Sequence, residues 1–183
     1  MMKRIGLILS LTFMAFSLFA ERGNVTILYT NDVHTYIANT VKDKATGKKV
    51  PGLSYASVAA LRQDLIAEGK SVALVDAGDH AQGTAYGAMD NGASIIKLMN
   101  AAGYDVATLG NHEFDYGAAR VFEIMKEANF PYLACNFLTV KKNKPVTDAY
   151  KILKFGKTKV AFVGVMMPGT HPRSTPAYFM DET

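Results

Sequence analysis

Three short motifs, each just past an apolar run, hold the side chains of this sequence best suited to chemistry. They are Asp32-Val33-His34, Gly78-Asp79-His80 and Gly110-Asn111-His112-Glu113-Phe114-Asp115. Together they offer carboxylates, an amide and imidazoles, the mixed oxygen and nitrogen donor set that borderline and hard divalent metals prefer. The reaction such a set supports best is hydrolysis by a water made acidic at a metal centre.

The apolar runs before the motifs are what must position them. Residues 25–30, 71–75 and 105–109 read as strands, and a fourth is expected over 132–135. Between them lie helical patterns. One starts from Leu53, with Val58, Leu61 and Leu65 on one face, and ends at Gly69. A second carries Ile95, Leu98, Met99 and Ala102 behind a cap at Ser94. A third carries Val121, Ile124, Met125 and Ala128 and stops at Asn129 and Pro131. Strand and helix in alternation predict a parallel sheet with helices packed on it. Loops leaving parallel strands emerge at one carboxyl edge, where open α/β sheets bind ligands. Topology alone therefore gathers residues almost eighty positions apart. Near Tyr150 the pattern changes: residues 151–155 and 159–165, joined by Gly156-Lys157-Thr158, predict an antiparallel hairpin.

Composition sets the bounds. The chain has 183 residues, 49% hydrophobic and 20% charged, as one globular domain would. Its first twenty residues stand apart. Lys3 and Arg4 precede an apolar stretch over 5–19, and Ala20 precedes Glu21-Arg22, which is the pattern of a cleaved secretory signal. The expected organisation is a signal peptide over 1–20 and an exported domain, periplasmic or extracellular, over 21–183. Without Lys3 and Arg4, eighteen basic residues face sixteen acidic ones, a formal charge of +2. That balance gives no reason to expect nucleic acid or membrane binding. The cluster Lys141-Lys142-Asn143-Lys144 reads as a solvated loop. Cys135 is the sole cysteine, so an intrachain disulfide is excluded, and a buried thiol on a strand is expected. Met89, Met99, Met125 and Met166 read as core filler, since thioethers suit softer metals.

Roles follow from position. Two divalent ions need a bridging ligand, and Asp79, on the middle loop, is placed for it. Asp32 and His34 would hold one ion and the side-chain oxygen of Asn111 the other. His112 is followed three residues later by Asp115, whose carboxylate would fix the imidazole tautomer and favour its charged form. That pair suits proton donation to a leaving oxygen better than metal ligation. Glu113 reads as a loop acid, His80 as a group behind the ligands or at the surface rather than a ligand, and Gly83-Thr84 with Gly87 as a flexible loop.

Thr30-Asn31-Asp32-Val33-His34, Asp76-Ala77-Gly78-Asp79 through Gln82-Gly83-Thr84, and Gly110 through Asp115 resemble the N-terminal metallophosphatase domain of secreted 5′-nucleotidases and UDP-sugar hydrolases. These belong to the calcineurin-like phosphoesterase superfamily. Gly164-Val165 and the loop after it are also similar. The resemblance implies an α/β fold, a four-layer α/β/β/α sandwich whose second sheet is here incomplete. It implies metal ligands at Asp32, His34, Asp79 and Asn111, a catalytic pair at His112 and Asp115, and two ions drawn from zinc, manganese, iron or cobalt. The expected reaction is phosphoester hydrolysis of a small nucleotide, with a 2′,3′-cyclic nucleotide as the alternative substrate and a catalytically silent secreted domain as the alternative of another class. The family completes its centre with later histidines in a Gly-His-x-His segment and carries a separate C-terminal domain for the nucleoside. This sequence has four histidines, His34, His80, His112 and His171, none in such a segment, so it reads as the leading portion of a longer enzyme.

Overall fold

The structure is a computed structural model that describes residues 23–139 and 141–174, so the expected signal peptide lies outside the described residues. In chain order the elements are β1 (Val25–Thr30), β2 (Thr40–Lys42), β3 (Lys49–Pro51), α1 (Tyr55–Ala67), β4 (Ser71–Asp76), α2 (Ala85–Met89), α3 (Ala93–Ala102), β5 (Val106–Ala107) and α4 (Ala118–Glu127). The hairpin β6 (Tyr150–Phe155) and β7 (Thr158–Val163) follows, then the short α5 (Thr170–Arg173).

The parallel sheet has the order β1-β4-β5. Central β4 is apolar on both faces, and Val72, Ala73 and Leu74 are buried, as expected of a strand covered on both sides. The register decides the site. Thr30 pairs with Asp76 and Asp76 with Ala107, so all three chains leave the sheet at one level. The segment expected as a fourth strand is extended but irregular. Tyr132 bridges Ala107 while Leu133 bridges Asp148, so it joins two different neighbours and never builds a regular run with either. Cys135 is exposed rather than buried, because the chain turns directly after buried Ala134.

Helices α1, α3 and α4 form the layer against this sheet. Ser54 caps α1 by accepting from the Ser57 amide, so the helix begins after Leu53, which is exposed. Gly92 and Gly103, both with left-handed backbone, bracket α3. Ser94 is therefore inside the helix, where its amide and hydroxyl donate to Asp90. Ile95, Ile96, Met99 and Ala102 face the core, each large side chain contributing about 1.5–3 kcal/mol through burial. Met89, by contrast, is exposed at the end of α2. Arg62 of α1 forks onto both oxygens of Asp105 at 3.0 and 2.9 Å, and Asp105 also accepts from the Leu74 amide at 2.8 Å. One side-chain pair thus ties the helical layer to β4. The polar segment after β1 contains a small antiparallel ribbon, β2 with β3, and β6 with β7 forms the expected hairpin.

Candidate metal centre

Beyond the sheet, the first two loops continue side by side. Ala77 donates its amide to Thr30, Asp32 to Gly78, His34 to Asp79 and Thr35 to His80, at 2.8–3.2 Å. The backbone that carries the candidate ligands is unusual. Asp32, His34, Thr35 and Asp79 all have positive φ, between 45° and 59°. For residues with a Cβ that conformation costs on the order of 1–3 kcal/mol each, and such strain concentrates where geometry serves chemistry. Two glycines let the second and third loops touch. A Cβ on Gly78, itself at φ +100°, would meet the Gly110 amide nitrogen at 2.5 Å, and one on Gly110 would collide with the Asp79 carboxylate.

His34, Asp79 and His112 each present one ligating atom, all within 4.8 Å of one another. The Nδ1–H of His34 donates to the Gln82 carbonyl at 3.0 Å. A carbonyl can only accept, so the tautomer is settled and Nε2 keeps its lone pair for a metal. Asp32 stands beside this group, with one carboxylate oxygen 3.8 Å from His34 Nε2 and the other accepting from Asn31 at 2.6 Å. Asn111 is buried and its side-chain amide donates to the Arg173 carbonyl at 3.1 Å. Burial raises the carboxyl pKa of Asp79, more than the His112 amide that donates to it at 2.8 Å lowers it. A carboxylate in that state is short of positive charge. Donor types, free lone pair and undercompensated carboxylate all fit a divalent ion.

His112 also makes the expected pair. Its Nδ1–H donates to Asp115 at 2.6 Å, and the other Asp115 oxygen accepts from Ser174 at 2.8 Å. Burial alone would lower the His112 pKa, but the Asp115 hydrogen bond and charge outweigh it and the net shift is upward. Its ring lies edge to face with His34, centroids 4.9 Å apart. The same imidazole is thus paired with a carboxylate and within reach of the donor group. His171 falls in α5.

Two residues prove more deeply embedded than their sequence context suggested. Glu113 is not a loop acid on the surface but fully buried in a single turn of 3₁₀ helix, His112–Phe114. One of its oxygens accepts from the amides of Asp79 and Gly110 at 2.9 and 2.6 Å, the other from His80 and Ala81 at 2.7 and 3.1 Å. His80, also fully buried, donates from Nδ1 to Asp76 at 2.7 Å and lies against the Tyr132 hydroxyl at 2.8 Å through Nε2. Burial disfavours its charge, yet Glu113 and Asp76 together push its pKa up to about 9. No local pattern marked either, because their partners come together only when the loops after β4 and β5 meet. Gly87 falls within α2, and Gly83 stands just before its cap. Thr84 caps α2, and its hydroxyl meets that of Thr35 at 2.7 Å. An open cleft of about 400 Å³ flanks Asp32, walled in part by Tyr29, Tyr36, Tyr55 and Tyr104.

This arrangement can be set beside known proteins. The family model for calcineurin-like phosphoesterases matches residues 25–174. The snake venom 5′-nucleotidase of Gloydius brevicauda is 37% identical over 174 residues, 91% of this chain and 29% of that protein. The human 5′-nucleotidase is 36% identical over 166 residues, 83% of this chain and 28% of that protein. Among solved structures, the 5′-nucleotidase precursor of Thermus thermophilus superposes with a TM-score of 0.71 at 28% identity, covering 80% of this chain and 29% of that one. The chain therefore spans under a third of the length of these relatives. The likeness bears out the expected α/β fold with partial sheets. With 150 residues matched and the three motif loops meeting at one sheet edge, this chain belongs to the calcineurin-like phosphoesterase family.

Proposed function

We propose that this chain is the metal-binding portion of an exported 5′-nucleotidase-type phosphohydrolase, with Asp32, His34, Asp79 and Asn111 holding two divalent ions. The observation that carries the reading is the convergence of His34, Asp79 and His112 to within 4.8 Å at the carboxyl edge of the sheet, with His112 paired to Asp115. When bound, such ions acidify water and neutralise charge on a phosphoryl group. The residues of the chain do the rest. His34 offers Nε2 because Gln82 fixes its tautomer. Asp79 sits between the other two loops, where a bridging carboxylate belongs. His112, whose charged form Asp115 favours and whose ring it orients, delivers a proton to the oxygen that leaves phosphorus.

Nucleotides are the proposed substrates because the relatives are 5′-nucleotidases. Export is proposed from the leader over 1–20, and intact mass of the protein recovered outside the cytoplasm should begin near Glu21. The test of activity has two stages. Calorimetry with Mn²⁺ on the chain measures whether the centre takes an ion. Phosphate release is then compared for a nucleoside 5′-monophosphate, a 2′,3′-cyclic nucleotide and an aryl phosphate, using these residues within a polypeptide of the relatives' full length. Preference for the 5′-monophosphate supports the proposal. Binding no Mn²⁺, or hydrolysing none of the three, refutes it.

A further inference from the structure

The Glu113 carboxylate joins two loops that come from different strands. Its four partners are the amides of Asp79, His80 and Ala81 on the loop after β4 and of Gly110 on the loop after β5. The tie is reciprocal, because the Asp79 carboxylate accepts from the His112 amide at 2.8 Å. Each loop therefore sends a carboxylate into the main chain of the other. The approach is close enough that neither Gly78 nor Gly110 has room for a Cβ. Converging amides in such a turn make a concave site of positive potential that prefers an anion. Here the anion is part of the chain, and Glu113 is shut away from water.

From this geometry we infer that Glu113 is a positioning residue, which holds the loops of Asp79 and His112 in their working arrangement before any ion arrives. This rests on the proposed metal centre for its purpose, though the tie itself can be tested without metal. An ion needs its ligands within a few tenths of an ångström, and residues behind the ligands are what keep them there. Glu113 acts through main chain rather than through the ligand side chains. It thereby orients Asp79 and His112 together, leaving their side-chain lone pairs and protons free. Glu113→Gln keeps the length of the side chain but turns one acceptor into a donor. Two of the four amides would then face an N–H.

Amide hydrogen exchange on the metal-free chain is the first measurement. The amides of Asp79, His80, Ala81 and Gly110 should exchange slowly without metal and change little when Mn²⁺ is added. Rapid exchange that slows only with Mn²⁺ would mean the ion orders the loops, and would overturn the inference even if the variant cannot be made. In Glu113→Gln those amides should exchange at least about tenfold faster and Mn²⁺ should bind about 10–100-fold more weakly. Exchange within β4 should stay unchanged. Ile124→Val, a trim of the buried face of α4, should leave Mn²⁺ affinity as in the parent. Equal weakening by Ile124→Val, or unweakened binding by Glu113→Gln, would reduce Glu113 to general stability. A parent chain that binds no Mn²⁺ would remove the metal-centre reading, while its amide exchange would still decide whether Glu113 holds the loops.

Discussion

Replacing His112 by Ala should separate holding an ion from moving a proton. The structure says what survives the change. The contact from His112 to the Asp79 carboxylate is made by the main-chain amide, at 2.8 Å, and Ala keeps it. Asp115 loses the imidazole but retains the Ser174 hydroxyl at 2.8 Å. The His112 side chain is 34% exposed, so its removal opens no sealed cavity and should cost the fold under about 1 kcal/mol. If His112 has the proposed role, what disappears is a positioned acid, worth roughly 10²–10⁴-fold in rate, or about 3–5 kcal/mol of transition-state stabilisation. The loss should depend on the leaving group. A nucleoside 5′-monophosphate departs as a basic alkoxide and needs the proton, whereas a nitrophenyl phosphate departs as a weak base and needs it far less. The assay is kcat/KM on both substrates beside elemental analysis of bound manganese, with Asp79→Ala for comparison. Asp79→Ala should empty the centre. If His112→Ala loses manganese as fully, or slows both substrates equally, His112 is a ligand and the proton-donor role is wrong.

Three further outcomes follow from the same geometry. Gly110→Ala should destabilise the chain by about 1–3 kcal/mol, the usual cost of overpacking, and weaken Mn²⁺ binding, because its Cβ would collide with the Asp79 carboxylate; denaturant midpoints and calorimetry check both. Phe114→Ala should cost about 3–5 kcal/mol, since the ring is fully buried and stands edge to face on Phe137 with centroids 5.7 Å apart; urea unfolding followed by circular dichroism measures it, and a loss under about 1 kcal/mol would contradict the packing. The metal-free chain should lose stability as pH rises through about 9, because the folded state raises the His80 pKa above its unfolded value near 6.5. That contribution is complete below about pH 6.5, where both states are protonated, and disappears once folded His80 deprotonates between Asp76, Glu113 and Tyr132. Urea midpoints from about pH 6 to 10 should show the decline, and His80→Gln should flatten it.

Much of the architecture was legible in residue order because it depends on local periodicity. The runs over 25–30 and 71–76 are strands, the apolar spacing of Val121 and Ile124 marks α4, and Gly156-Lys157 turns a hairpin. These patterns also determine which loops share an edge, and so the meeting of His34, Asp79 and His112. The i,i+3 spacing of His112 and Asp115 likewise anticipates their hydrogen bond, since one turn of helix brings those positions together. What tertiary structure alone decided is everything that depends on where a buried group finds its partner. Glu113 looks like any acid in a polar loop until folding surrounds it with four amides from two loops. His80 has its charged form favoured only because Asp76, on its own strand end, and Glu113, 33 residues away, close around it. The left-handed backbone at Asp32, His34 and Asp79 was not legible either, because Asp and His tolerate that conformation better than most residues but do not require it. It is imposed by hydrogen bonds between loops that meet only once the parallel sheet has set their register, and the free energy of that assembly outweighs the local strain.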